Sequence, residues 1–168
     1  MLATLKRRAT GWVLMVVVVA AITILPKTSY PWLVYNPSES VAVGFYWITP
    51  TGHARVGDLV LMQTPAKVAE LADQRRYLPR HTPMLKYAAA LSGSTVCAVG
   101  DTILIDGKPV ARRQARDHLN RPMPWWTGCR TLGMDDLFVL NPKAPLSFDG
   151  RYFGVVSSRL ILGRAKRL

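Results

Sequence analysis

Two serines stand two residues apart in the stretch Asn36-Pro37-Ser38-Glu39-Ser40, and Gly44-Phe45-Tyr46 follows shortly after. Pro37 and Gly44 bracket the pair, so the spacing predicts a turned backbone ahead of a strand over residues 44–48. A serine hydroxyl on such a loop is an accessible nucleophile, provided that a base takes its proton. Lys86 is the candidate base. It lies in Met84-Leu85-Lys86-Tyr87-Ala88-Ala89-Ala90-Leu91, whose apolar pattern predicts burial. Burial disfavours the ammonium form and lowers the pKa, which yields an amine able to accept a proton. Serine with lysine is then a complete nucleophile and base, with no need of histidine. Plainer readings exist for both residues. The serines can form an ordinary polar turn capping a strand, and the lysine can bury its stem while its ammonium reaches water.

Other residue types offer less. Ser40, His81 and Asp149 supply a Ser-His-Asp set, but no G-x-S-x-G elbow accompanies it. His81 lies in the proline-flanked run 79–84, which reads as an exposed linker. The three histidines show no ligand spacing and the two cysteines, Cys97 and Cys129, form no CxxC, so neither a metal site nor a cofactor is expected. In an exported domain these cysteines would pair in one disulfide; in a cytosolic one they would be free, buried thiols.

The chain that must position these groups has 168 residues, enough for one compact domain with a short appendage. Its hydrophobic fraction of 49% suits a folded protein, and no internal repeat or low-complexity tract is present. The formal charge is +12, with basic clusters at residues 6–8, 75–76, 112–113 and 164–167. Such a balance points to an anionic partner. Phospholipid is favoured, because the first cluster precedes an uncharged apolar run at residues 11–25; no helix-turn-helix, zinc finger or RNP motif supports nucleic acid. Fifteen residues are short for a spanning helix, but the flanks extend the run, and Trp12, Tyr30 and Trp32 can sit at the interfaces. Lys6, Arg7 and Arg8 would hold the N-terminus in the cytoplasm. A retained anchor is the preferred reading over a cleaved signal peptide, since no clean A-x-A follows the apolar core. Residues 1–28 are thus read as a basic stub and anchor (or signal sequence), and residues 29–168 as an exported domain.

Beyond the serine loop, strands are expected at residues 59–62, 84–91, 95–99, 102–105, 108–111, 137–140, 152–156 and 160–162. Asp106-Gly107 is a two-residue hairpin signal. Residues 65–78 are the one convincing soluble helix, with Val68, Leu71 and Ala72 on one face. Residues 112–126, basic and proline-rich, read as a long surface loop. The domain is therefore mainly β.

In order along the chain, Ser38-Glu39-Ser40, then Leu85-Lys86, then Ser147-Phe148-Asp149-Gly150-Arg151-Tyr152-Phe153-Gly154, resemble the signature boxes of type I signal peptidases. The last box and Trp126-Thr127-Gly128-Cys129 resemble the branch of TraF-type maturation peptidases of conjugative plasmid transfer. The resemblance spans roughly residues 30–165, and three ordered boxes are more specific than any one. It implies a signal-peptidase-like β catalytic domain behind a membrane-anchor helix. It implies Ser40 as nucleophile and Lys86 as general base. Ser38 and the Ser40 N–H would form the oxyanion hole, and Ser147 would orient the lysine amine. Asp149 and Arg151 would brace the site, although Asp149 has also been seen as a functional acid in this branch. Ser92-Gly93-Ser94 imitates the serine box but falls after the lysine, where the order of boxes calls for a turn. Departures are Ala42 where the branch has proline, Tyr87 where arginine is frequent, and Ser92-Gly93-Ser94 where Pro-Gly-Asp is usual.

The implied protein is a serine endopeptidase of the inner membrane with its catalytic domain in the periplasm. It would mature, and even cyclise, the pilin precursor of a conjugative type IV secretion system. Partners would be that precursor or another membrane-bound preprotein, membrane lipid and further proteins of the transfer apparatus. A general signal peptidase and an inactive scaffold of the apparatus are the alternatives.

Overall fold

A computed structural model describes residues 32–168. The expected anchor segment at residues 11–25, and the choice between anchor and signal peptide, lie outside the described residues. Within them the chain is mainly β, with two antiparallel sheets of seven and four strands. The larger has the order β1 (Leu33–Asn36), β2 (Gly44–Pro50), β11 (Ile161–Arg167), β3 (Leu59–Met62), β4 (Met84–Ala90), β9 (Asp136–Leu140), β10 (Val156–Ser157). The smaller has the order β7 (Lys108–Arg112), β6 (Thr102–Ile105), β5 (Thr95–Val99), β8 (Gly128–Thr131). No helix among the described residues is long and apolar enough to cross a membrane.

The larger sheet is buried on both faces at its centre. Along β3, Leu61 packs on one face with Val41, Tyr46, Ile48, Leu85, Leu162 and Ala165. Its neighbours Val60 and Met62 pack on the other, with Ala88, Leu137, Val139, Val156 and Ile161. Period-two alternation delivers adjacent residues to opposite faces, so a wholly apolar strand such as Leu59-Val60-Leu61-Met62 belongs in a two-sided core. A third cluster, including Val96, Ala98 and Ile103 with Phe138 and Leu140, joins the small sheet to β9.

The hairpin at Asp106-Gly107 forms as expected, both residues adopting positive φ (49° and 75°), as a two-residue turn of this kind requires. The helix expected over residues 65–78 is shorter, α1 (Ala66–Gln74). Arg76 takes φ 57°, which turns the Tyr77 N–H back to Ala72 O and ends the helix. Two α-helices, not one, occupy the described residues: residues 150–153 fold as α2 (Gly150–Phe153) where a strand was expected over 152–156. Asp149 is responsible. Its carboxylate accepts the Arg151 N–H and caps one helical turn before the chain extends again at Val156. Gly150 fits because a Cβ there would lie 2.6 Å from Val139 O and 2.7 Å from the Phe138 ring.

Two more differences have physical causes. The final strand is seven residues long and lies between β2 and β3, although its C-terminal half is basic. The region after β7 is irregular but not wholly superficial. Arg113 is buried, with its guanidinium 3.5 Å from the Trp125 ring centroid and two bonds to Gly100 O. Asp117 receives Tyr77 Oη–H and Arg121, which ties this loop to the end of α1.

The β1–β2 hairpin forms one edge of the larger sheet and turns an aromatic face to solvent. Leu33 pairs with Trp47 and Tyr35 with Phe45, and all four side chains are about half exposed. The Tyr35–Phe45 and Trp32–Trp47 ring centroids are 5.0 and 6.1 Å apart. Lys166 stands opposite Trp47 on β11 and therefore shares that face.

Candidate active site

Lys86 sits in the middle of β4, opposite Val60, and is 5% exposed. Its Nζ donates one hydrogen bond, 3.0 Å, to Ser147 Oγ, which is itself buried. Burial lowers the amine from its ordinary value of 10.5 to about 8; the nearby Asp149 charge raises it and that of Arg151 lowers it again. Because the two neighbours oppose each other, desolvation decides the outcome.

Asp149 and Arg151 form a pair with almost no exposure. Arg151 Nε and Nη2 donate to the two carboxylate oxygens at 2.8 and 3.1 Å. The remaining Arg151 donors reach the carbonyls of Asn141 and Pro145 at 2.9 and 2.8 Å. The Asn141 N–H completes the Asp149 shell at 2.9 Å. Buried charges persist only when paired and hydrogen-bonded, and this pair satisfies both conditions. The carboxylate faces its own arginine and main chain, which suits bracing; no hydrogen bond joins it to His81 or Ser40 among the described residues. His81 is exposed and lines a cleft with Gln63, Thr64 and Arg80. The Ser40, His81, Asp149 arrangement is thus not assembled.

Ser38 and Ser40 occupy the loop between β1 and β2, with Oγ atoms 3.0 Å apart. Val41, next to Ser40, packs in the same apolar cluster as Leu85, next to Lys86. That shared cluster brings the loop and β4 together. No hydrogen bond runs between Ser40 and Lys86 among the described residues: the amine is engaged by Ser147 and the hydroxyl by Ser38.

Cys97 and Cys129 face each other across β5 and β8 and are joined in a disulfide, with Cα atoms 4.0 Å apart. Ser92-Gly93-Ser94 forms the turn between β4 and β5, Gly93 at φ 91°. Among the described residues no group of three or more His, Cys, Asp or Glu side chains could hold a metal ion.

Two buried asparagines do work that the sequence did not reveal. Asn36 holds the serine loop from inside, and Asn141 brackets Lys86. Asn141 Oδ1 accepts the Tyr87 N–H at 3.3 Å and its Nδ2 reaches Leu85 O at 3.5 Å, one residue on each side of Lys86. A buried amide needs partners, but sequence shows only that Asn36 ends an apolar stretch and that Asn141 follows one.

The site thus comprises a buried lysine held by one serine, a braced ion pair and a serine loop. The chain belongs to the family described as signal peptidase, peptidase S26, whose model matches residues 5–168. It is similar to the plasmid transfer protein TraF of Escherichia coli, 28% identical over 132 residues, covering 73% of this chain and 74% of that one. It is also similar to the probable conjugal transfer protein TraF of Sinorhizobium fredii, 32% identical over 143 residues, covering 79% and 74%. A crystal structure of a signal peptidase I from Enterococcus faecalis aligns over 67% of this chain and 96% of that chain, at 20% identity and a TM-score of 0.39.

Proposed function

We propose that this chain is a membrane-anchored serine endopeptidase of conjugal transfer that matures a pilin precursor, with Ser40 as nucleophile and Lys86 as base. The observation that carries the reading is the state of Lys86: buried, lowered to about 8 and fixed by Ser147. About a tenth of the amine is then neutral at pH 7, and general-base catalysis needs a pKa near the working pH. In the reaction, the Ser40 proton leaves Ser38 and passes to Lys86 Nζ as Ser40 Oγ attacks the scissile carbonyl. The Ser40 N–H holds the developing oxyanion, joined by the Ser38 hydroxyl as it turns from Asn36 Oδ1 toward the new charge. The Lys86 ammonium then returns its proton to the leaving amine. Water releases a linear product. If the substrate's own N-terminus is held close by the membrane, it releases a cyclic one, because an intramolecular amine outcompetes water.

The family membership and the two TraF relatives support the peptidase class and the setting in plasmid transfer. Location at the inner membrane, with the domain in the periplasm, draws support from the apolar run at residues 11–25 and from the exposed aromatic face beside Lys166. Aromatic rings and basic side chains together favour the headgroup layer of an anionic membrane. The disulfide suits an oxidising compartment.

The test is co-expression with the pilin precursor of the same transfer system, followed by intact-mass analysis. Cleavage that disappears with Ser40→Ala and with Lys86→Arg supports the reading. A cyclic product is lighter by one water and lacks a free N-terminus. A precursor that stays uncleaved beside the wild-type protein makes the chain a scaffold and not a peptidase.

A further inference from the structure

Asn36 is 7% exposed at the end of β1, and its side chain meets the serine loop five times. Nδ2 donates to three carbonyls: Ser38 O at 2.7 Å, Val41 O at 3.1 Å and Ala42 O at 3.3 Å. Oδ1 accepts the Ser38 N–H at 3.3 Å and the Ser38 hydroxyl at 2.9 Å. The orientation of this amide is not free. Reversing it would set Oδ1 against three carbonyl oxygens and Nδ2 against an N–H, so the donors and acceptors fix which atom is which.

The consequence runs along the hydroxyls. Ser38 has a single hydroxyl proton, and Asn36 Oδ1 can only accept, so that proton lies between Ser38 and Asn36. Toward Ser40, Ser38 Oγ then offers only lone pairs. Of the two serine oxygens, 3.0 Å apart, Ser40 must be the donor. A donor at this contact keeps both Ser40 lone pairs clear for attack, whereas an accepted bond from Ser38 would occupy one.

Resting on the assignment of Ser40 as nucleophile, we infer that Asn36 is a positioning residue that sets the direction of the Ser38–Ser40 hydroxyl pair. It acts through Ser38 and makes no hydrogen bond to Lys86 among the described residues, so it governs the readiness of the nucleophile and not the protonation of the base.

The experiment is a double-mutant cycle on the full chain in liposomes with the cognate pilin precursor, measuring kcat, KM and the pH profile. Asn36→Ala is expected to lower kcat by about 10- to 100-fold, as small misplacements at reacting groups do, with KM little changed and the acid limb of the profile unmoved. In a Ser38→Ala background the same substitution should cost less than about threefold, because the group it acts through is gone. Asn36→Leu keeps the approximate volume and removes both amide groups, so it repeats the cycle if Asn36→Ala is unstable; circular dichroism and the thermal midpoint report folding. Equal costs in both backgrounds would make Asn36 a mere loop support and overturn the inference. So would wild-type kcat in either folded variant, or failure of both variants to fold. Failure of the underlying reading looks different: the wild-type chain would leave the precursor intact, or Lys86→Arg would process it.

Discussion

The strand that carries Lys86 and the hairpin loop that carries Ser40 are built on opposite plans. Around Lys86, Ser147, Asn141, Asp149 and Arg151 are all nearly free of solvent and bonded to one another or to main chain. Around Ser40, Ser38 is exposed, Ser40 is only partly covered, and the hairpin beyond turns its aromatic face outward. Each plan suits one chemical task. A lysine becomes a base only where water is excluded, since solvation would keep it an ammonium. A nucleophile must meet a polypeptide, so its loop has to be open, and one buried amide, Asn36, gives it order from below. Under the proposed roles, Lys86 is therefore expected to fail through desolvation and charge, and Ser40 through geometry.

The largest expected effect breaks the comparison at both ends at once. Ser40→Ala removes the attacking atom. Lys86→Arg keeps the charge but cannot deprotonate. Each should abolish precursor cleavage while leaving a folded protein, read by intact mass and circular dichroism. Activity in Lys86→Arg would show that the dry strand does not supply the base.

Next comes the brace. Asp149→Ala leaves Arg151 buried without its partner and should lower stability by about 3–5 kcal/mol, measured by chemical denaturation. Glu39→Ala, on the exposed loop beside the serines, should change it by less than about 0.5 kcal/mol. Equal effects would erase the distinction between the two regions.

Lys86 itself sharpens the contrast through pH. Its folded value of about 8 lies below the 10.5 expected when unfolded. Between those values the unfolded chain binds more protons, so stability should rise with pH across that window. Below pH 8 the penalty of a buried ammonium is fully present. Lys86→Met should remove it and raise stability at pH 7 by up to about 3 kcal/mol. A destabilised Lys86→Met would mean that the amine contributes more through its bond to Ser147 than it loses by burial. Reduction of the Cys97–Cys129 bridge, in the smaller sheet, should lower stability by a similar amount, about 3–4 kcal/mol in the chain-entropy model, without moving the pH midpoint of activity. Two reactive thiols in unfolded, unreduced protein would remove the bridge from the account.

The smallest effect concerns Ser147. Its oxygen accepts from Lys86 Nζ, and such a bond is stronger from the ammonium than from the neutral amine. Ser147→Ala should therefore move the acid limb of the rate profile to lower pH by less than about one unit, while lowering the plateau. A shift to higher pH would contradict the hydrogen-bond argument.

Much of this was legible in the chain, for reasons that differ by residue. The apolar run around Lys86 announced burial, and Asp106-Gly107 announced its hairpin. The last strand runs beyond the expected residues 160–162 into the basic cluster of Arg164, Lys166 and Arg167. Their side chains do face outward, while Gly163 and Ala165 pack inward against β2 and β3. The turn of α2 was misread because Tyr152-Phe153 suggests a strand, and only the Asp149 carboxylate shows that a cap precedes it. Asn36 and Asn141 were missed altogether: an asparagine's value depends on which backbone groups surround it, which for Asn36 is set by how the following loop folds and for Asn141 by a strand distant in sequence.

The most direct test of the central claim is the pH dependence of kcat/KM for cleavage of the pilin precursor by the wild-type chain. The account predicts activity that rises through a single ionisation near pH 8 and is absent at every pH in Lys86→Arg. A profile that stays flat down to pH 6, or a Lys86→Arg protein that shares the wild-type curve, would contradict it.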